Sequence, residues 1–305
     1  MAKKKRQWPP APEPLPFPVM DNHTHLPVFE GQIPKADGVR LSLKEQLRRA
    51  ESVGVEQIIT VGCELPDFDG SLELARAHPQ VRVALAIHPN EAALHAGHFE
   101  DSPDGLTHER DEHGASRIPL IVALERVSDA LSDPMVVAVG ETGLDYFRTA
   151  EPGREAQKES FRAHLEMARV HGLPLQIHDR DAHADTLEVL AESAHGNQPI
   201  VFHCFSGDAE MARHLADNGW FASFAGPLTY PANESLRAAL LEMPRELVLA
   251  ETDAPYLTPA PDRGCPNASY LLPNTVRQIA QLWDEDIDET CRQLQANSVG
   301  LYGAW

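Results

Sequence analysis

His23 and His25 are the first residues of this chain whose types and spacing could do chemistry. They close the stretch Val19-Met20-Asp21-Asn22-His23-Thr24-His25, an apolar lead-in that ends in His-x-His. On a β-strand, residues two apart point to the same face, so two imidazoles leave one strand end side by side. A barrel strand offers two nitrogen ligands to a metal ion in this way. Fifteen histidines in 305 residues also produce such spacings by chance, and a surface or hydrogen-bonded core pair is the competing reading. Later segments decide between them. His88 follows VRVALAI, Glu141 follows MVVAVG, His178 follows LPLQI, His203 follows PIVF, and Asp253 lies just past LVLA. Polar groups that end apolar strands of a parallel barrel converge on its C-terminal rim. Cap or core roles absorb one or two of them. A rim of imidazoles and carboxylates calls for a divalent cation to neutralise and coordinate it.

The elements that must position these side chains alternate along the chain. Apolar runs at 56–62, 81–87, 135–140, 173–177, 199–202, 220–225 and 247–250 are separated by segments of helical composition and periodicity. Those segments are 42–53, 68–78, 119–131, 154–171, 181–195, 208–218 and 233–243, with Gly172, Gly196 and Gly219 where helix C-caps belong. With the opening strand, this makes eight βα units. Short apolar strands without polar alternation are buried on both faces, hence parallel. The expected fold is therefore α/β, a (β/α)8 TIM barrel with an insertion after strand 3 at about residues 90–117. That insertion holds His95, His98, His108 and His113 among acids, Gly and Pro, and reads as a solvated loop or a lid. No GxGxxG opens the first helix and no Walker A sequence occurs, which disfavours nucleotide-binding α/β folds.

Bulk properties narrow the classes further. At 42% hydrophobic content the chain can bury a full core, and no apolar run reaches the roughly 18 residues of a membrane span. Residues 1–16 join a Lys3–Arg6 basic cluster to a proline-rich stretch without an apolar h-region, so they read as a disordered arm rather than a secretory signal; 17–305 read as one barrel domain. The four cysteines are widely spaced, without CxxC, and read as reduced thiols of a cytoplasmic protein, Cys63 and Cys204 as packing residues. A net charge of −20 repels polyanions at long range. It argues against tight nonspecific duplex binding, but not against an enzyme that holds a phosphate locally through metals and a few arginines.

The motifs DNHTH, HP (88–89), GETGLDY, IHDRDA, HCFSG, ETDAPYL and the late Asn297-Ser298 run in one order over residues 19–302. In this the chain resembles the TatD family of metal-dependent hydrolases, relatives of the amidohydrolase barrels. The resemblance implies a TIM barrel, one to three divalent ions (two expected; Mg, Mn or Zn), and hydrolysis of phosphodiester bonds in DNA, typically as an exonuclease. By motif position it implies His23, His25, Glu141, His178, His203 and Asp253 as ligands. Three departures stand out: Ala86 replaces the family's usual Gly, Asn90 its frequent His, and Asn267-Ala268-Ser269 its Asn-Glu-Pro. The last of these lies in a loop expected to border the substrate, with Asn267 as a contact.

Residue chemistry assigns roles within that set. Glu141 suits a bridge between two ions about 3.5–4 Å apart. Asp253 can bind an ion and orient the water or take its proton. His88 reads as a phosphate contact or acid, with a core or cap role as the alternative. Arg180, two residues beyond His178, reads as the scissile-phosphate clamp, with a salt bridge to Asp179 or Asp181 as its alternative. Asp145 and Tyr146 are candidates to fix the loop carrying Glu141. The leading expectation is a metal-dependent phosphodiesterase on DNA, a 3′-5′ exonuclease on single-stranded or frayed ends, with no membrane and no obligate protein partner. An amidohydrolase or lactonase on the same barrel is the alternative. Many such enzymes carry a bridging carboxylated Lys where this chain has Glu141. An inactive binding module is disfavoured because no ligand position is lost.

Overall fold

The computed structural model of the protein describes residues 6–105 and 117–305. In chain order it has β1 (Asp21–Thr24), a hairpin of β2 (Lys35–Ala36) and β3 (Val39–Arg40), α1 (Leu43–Ser52), β4 (Ile58–Gly62), α2 (Leu65–Ala77), β5 (Val81–Leu85), α3 (Pro89–His95) and α4 (Leu120–Ala130). Then follow β6 (Val136–Asp145), α5 (Glu151–His171), β7 (Leu175–Arg180), α6 (His183–Ser193), β8 (Ile200–Phe202), α7 (Ala209–Asp217), β9 (Phe221–Phe224), α8 (Glu234–Glu242), β10 (Val248–Ala250), α9 (Leu272–Trp283) and α10 (Ile287–Tyr302). Eight parallel strands run in the order β1-β4-β5-β6-β7-β8-β9-β10 and alternate with helices, the expected (β/α)8 class. Two compact units divide the chain: residues up to 60 with 77–82 and 207–305, and residues 61–76 with 83–206.

In the first unit β1 pairs with β4, Asp21 opposite Ile58, and β9 pairs with β10. All four residues of β1 are buried. For Asn22 that burial is matched by hydrogen bonds within the fold. Asn22 donates to Ser223 Oγ at 2.8 Å and to Ala250 O at 2.7 Å. Asn297, from α10, donates to Arg245 O and Val248 O and so fixes the entry to β10.

In the second unit β5, β6, β7 and β8 pair in sequence. β6 has 10 residues, longer than the apolar run at 135–140 that announced it, because ETGLD continues the strand to Asp145. Gly143 makes that continuation possible: it sits opposite His178 at φ 134°, and a Cβ there would stand 2.2 Å from His178 O. No side chain fits. His164, fully buried on α5, ties the neighbouring strands together. Its Nε2 accepts Ile87 N–H at 3.1 Å and its Nδ1 donates to Ser160 O at 2.7 Å, which fixes the neutral ring. Thr142 Oγ1 lies 3.3 Å from the same Nδ1.

Three expectations are corrected. Residues 8–16 are not a disordered arm. Trp8 donates to Val39 O, Tyr270 to Pro9 O at 2.8 Å, Arg277 to Glu13 O, and Leu15 N to Val53 O, with Leu15 buried. Proline stiffness lowers the entropy lost on docking, so few contacts hold the segment. Residues 1–5, with most of the basic cluster, lie outside the described residues. The insertion at 90–117 opens with a regular element, α3, capped by His88 and started by Pro89 at its first turn. His95 in it is buried with Nδ1 2.7 Å from Ile118 O, and His98 lies 3.6 Å from Glu100. His108 and His113 lie outside the described residues. Gly196, finally, is not the cap of α6, whose C-cap is Ala194; Gly172 does cap α5, at φ 67°.

Burial holds the His164 imidazole down at about 4, against the usual 6.5. The folded state therefore resists a proton that the unfolded chain accepts, so this stability is fully present above pH 6.5 and is lost as pH falls towards 4. The shift amounts to about 3 kcal/mol at 1.36 kcal/mol per pKa unit. His164→Phe should cost about 1–3 kcal/mol at pH 7 by leaving Ile87 N–H without an acceptor. Urea unfolding should show the gap between wild type and variant narrowing from pH 7 to pH 4; a gap independent of pH would contradict the assignment.

Candidate metal centre

The first unit contributes His23, His25 and Asp253. Each offers a ligand atom, and the three atoms lie within 4.8 Å of one another. Backbone bonds set this spacing: Asp253 N donates to His23 O at 3.0 Å and His25 N to Ala254 O at 2.7 Å, so the segment after β10 runs beside the end of β1. Asp253 has φ 48°, a left-handed conformation that Asp tolerates and that turns its carboxylate towards His25 Nε2 at 3.3 Å. Behind them Asp21 accepts from Thr252 N at 2.8 Å and Thr252 Oγ1 at 2.6 Å. Burial raises the Asp21 carboxyl to about 7, even though these bonds favour its anion.

The second unit contributes a cluster around Glu141, which is 3% exposed. Glu141 Oε2 lies 2.7 Å from His203 Nε2 and 3.0 Å from His178 Nδ1, while Cys63 Sγ donates to Oε1 at 3.2 Å. His178 Nε2 continues to Asp145 Oδ2 at 3.3 Å. Burial opposes charge on His178, but its bonds to Asp145 and Glu141 prevail and raise the imidazole to about 9. Burial likewise works against the Asp145 carboxylate, and the His178 imidazole outweighs it, holding the group at about 2. A protonated imidazole thus supplies the positive charge that these carboxylates demand. A divalent cation with the imidazole neutral meets the same demand, and N/O donors of this mix suit Zn, Mn or Mg, so the residues fit a metal.

The other residues singled out in the sequence separate clearly. Asp145, expected to fix the loop carrying Glu141, instead bonds to His178 and is itself held by Asn90 Nδ2 at 3.2 Å and Arg148 N at 2.9 Å. His88 takes its cap role: Nδ1 accepts Asn90 N–H at 3.1 Å, and its ring lies 4.6 Å from that of His178. Burial, with His178 beside it, lowers His88 to about 4, so the ring is neutral with its proton on Nε2. Arg180 is exposed and makes no ion pair with Asp179 or Asp181; its guanidinium lies on the Phe147 ring, 3.9 Å from the centroid. Tyr146 bonds to Asp185 rather than to the Glu141 segment. Asn267 is corrected. It is 2% exposed, with Nδ2 donating to Thr252 O at 3.0 Å and Tyr256 O at 2.5 Å, so it clamps the Asp253 loop from inside and has no face for substrate. Cys63 escaped notice as a site residue, because an apolar run gave it the look of a packing side chain.

The profile of the TatD related DNase family matches residues 20–303. A metal-dependent hydrolase of Mycobacterium tuberculosis named TatD, described as uncharacterized, is 38% identical over 93% of this chain and 98% of its own. The uncharacterized metal-dependent hydrolase YabD of Bacillus subtilis is 30% identical over 93% and 98%. Among solved structures, the TatD homologue YjjV of Escherichia coli superposes with a TM-score of 0.77 at 27% identity, over 94% of this chain and 98% of that one.

The clamp assigned to Asn267 is testable against the substrate-contact role. Asn267→Ala leaves the Thr252 and Tyr256 carbonyls without this donor, at about 1–3 kcal/mol. Thermal melting should show the loss, and turnover should fall with Asp253 less firmly placed. A raised KM at unchanged melting temperature would restore the substrate contact.

Proposed function

The chain belongs to the TatD related DNase family and is a metal-dependent hydrolase; from that premise we propose that it hydrolyses phosphodiester bonds in DNA as a 3′-5′ exonuclease on single-stranded or frayed ends. The observation that carries the reading lies on β7, where His178 and Arg180 are two residues apart and so share a strand face. A donor cluster that demands a cation stands beside a guanidinium that makes no ion pair among the described residues, the pairing a phosphate diester needs. We assign His23, His25 and Asp253 in the first unit, and Glu141, His178 and His203 in the second, as the ligands of divalent ions.

Divalent ions bound by these residues would supply an acidified water and positive charge for the phosphoryl oxygens. The residues do the rest. Asp253 orients the attacking water and takes its proton. Arg180, kept flat by Phe147, offers its N–H fork to the scissile phosphate. His88 cannot accept through Nδ1, which the Asn90 amide occupies, so it offers Nε2–H to a phosphate oxygen rather than a labile acid proton. No helix among the described residues is long and apolar enough to cross a membrane.

Asp253→Asn keeps size and a carbonyl ligand but loses basicity, so kcat should fall by roughly 10²–10⁴-fold. His23→Ala should instead empty a metal position, seen as lower metal content by mass spectrometry and partly reversed by excess metal. Near wild-type turnover of Asp253→Asn at saturating Mn would remove Asp253 from the chemistry. On substrate form, a chain of net charge −20 should degrade linear single strands faster than duplex and slow as salt rises. Equal rates on covalently closed duplex and linear single strands, followed on labelled DNA, would rule the exonuclease mode out.

A further inference from the structure

Beyond Asp145 the chain continues as Tyr146-Phe147-Arg148, with Tyr146 N donating to Arg180 O at 2.9 Å, so this segment stays beside the end of β7. Two cation-on-ring stacks form there. Arg180 lies on Phe147, and Arg154, from the first turn of α5, lies on Tyr146 with its guanidinium carbon 4.1 Å from the centroid. The Tyr146 ring is fixed in turn by its hydroxyl, which donates to Asp185 at 2.6 Å. Neighbouring cations are already matched: Arg148 by Asp104 at 3.3 Å and Lys158 by Asp185 at 2.7 Å. Arg154 and Arg180 make no ion pair among the described residues. In a protein of net charge −20, two guanidiniums on adjacent residues' rings, neither in an ion pair among the described residues, are a local exception. A guanidinium stacked on an aromatic ring keeps its N–H edges pointing sideways, in the geometry that takes a phosphate by two bonds, and its outer face can carry a base.

We propose that Arg154 on Tyr146 is a second phosphate station, which holds the backbone of a single nucleic-acid strand beyond the bond being cut, next to Arg180 on Phe147. This rests on the reading of the site as a phosphodiesterase. It makes Arg154 a determinant of substrate length: a dinucleotide has one phosphate and cannot fill both stations, whereas a longer single strand can. Base identity is not read, because stacking on a guanidinium and bonding to phosphate are open to every nucleotide.

The test compares Mn-loaded wild type, Arg154→Gln and Arg154→Lys on a dinucleotide and a single-stranded decamer. A phosphorothioate-linked decamer, followed by fluorescence anisotropy across a salt series, reports binding. Arg154→Gln should lower the decamer-to-dinucleotide ratio of kcat/KM about tenfold, as loss of one charge-assisted phosphate contact would. It should also make the slope of log affinity against log salt shallower by about 0.7, the share of one phosphate on a single strand. Arg154→Lys keeps the charge without the planar face, so it should retain the slope and recover only part of the ratio; it also decides the matter if the Gln variant fails to fold. A wild-type ratio and slope in both variants would overturn the station while leaving the phosphodiesterase reading intact. Wild type that cuts neither substrate would bring down that reading, and the station with it.

Discussion

A carboxylate on a buried strand cannot stay ionised without positive charge close by, and Glu141, in the middle of β6, is such a group. Imidazoles from β7 and the residue after β8 reach its Oε2, and a thiol donates to its Oε1. Much of the second unit can be understood as support for that arrangement. Asp145 holds the far nitrogen of His178, Asn90 and Arg148 hold Asp145, and Thr149 donates to Asn90 at 2.9 Å. Each link satisfies a polar group that burial would otherwise penalise, so the cluster is rigid for the same reason that it is charged.

The first unit solves a smaller version of the same problem. Its backbone pairing aligns β1 with the segment after β10, and Asn267 and Asp21 grip that segment from inside. Asp253 keeps the left-handed turn that aims its carboxylate at His25.

The strands and the polar residues that follow them were legible because burial on both faces leaves a plain mark: an apolar run with one polar residue at its end. His88, Glu141, His178 and His203 were all found by that mark. What escaped depended on directions that sequence does not carry. Cys63 meets a carboxylate 78 residues away, and its neighbours in sequence say only that it is buried. Asn267 lies in a loop without periodicity, where a clamp and a substrate contact look alike until the partner carbonyls are known. The β2–β3 hairpin is a different case. Asp37-Gly38, both at positive φ, form the Asp-Gly turn that short hairpins favour, a signal present in the sequence but passed over beside stronger ones. The docked segment 8–16 was misread because proline content suggests a loose tail, yet a stiff chain loses little freedom when a few carbonyls find donors.

Gly143 sets a limit of another kind. The space where its side chain would be is taken by the backbone carbonyl of His178, so β6 and β7 meet with no adjustable layer between them. Most protein sites can be retuned by small changes in the packing behind them, a methyl group added here or removed there. This one has no such dial. The distance between the strand that brings Glu141 and the strand that brings His178 is fixed by main chain alone, so a lineage or a designer wishing to alter the centre must exchange a donor outright. Gradual drift in that spacing is closed off, and new chemistry on this scaffold has to come from the loops around the centre, including the one that carries Tyr146 and Phe147.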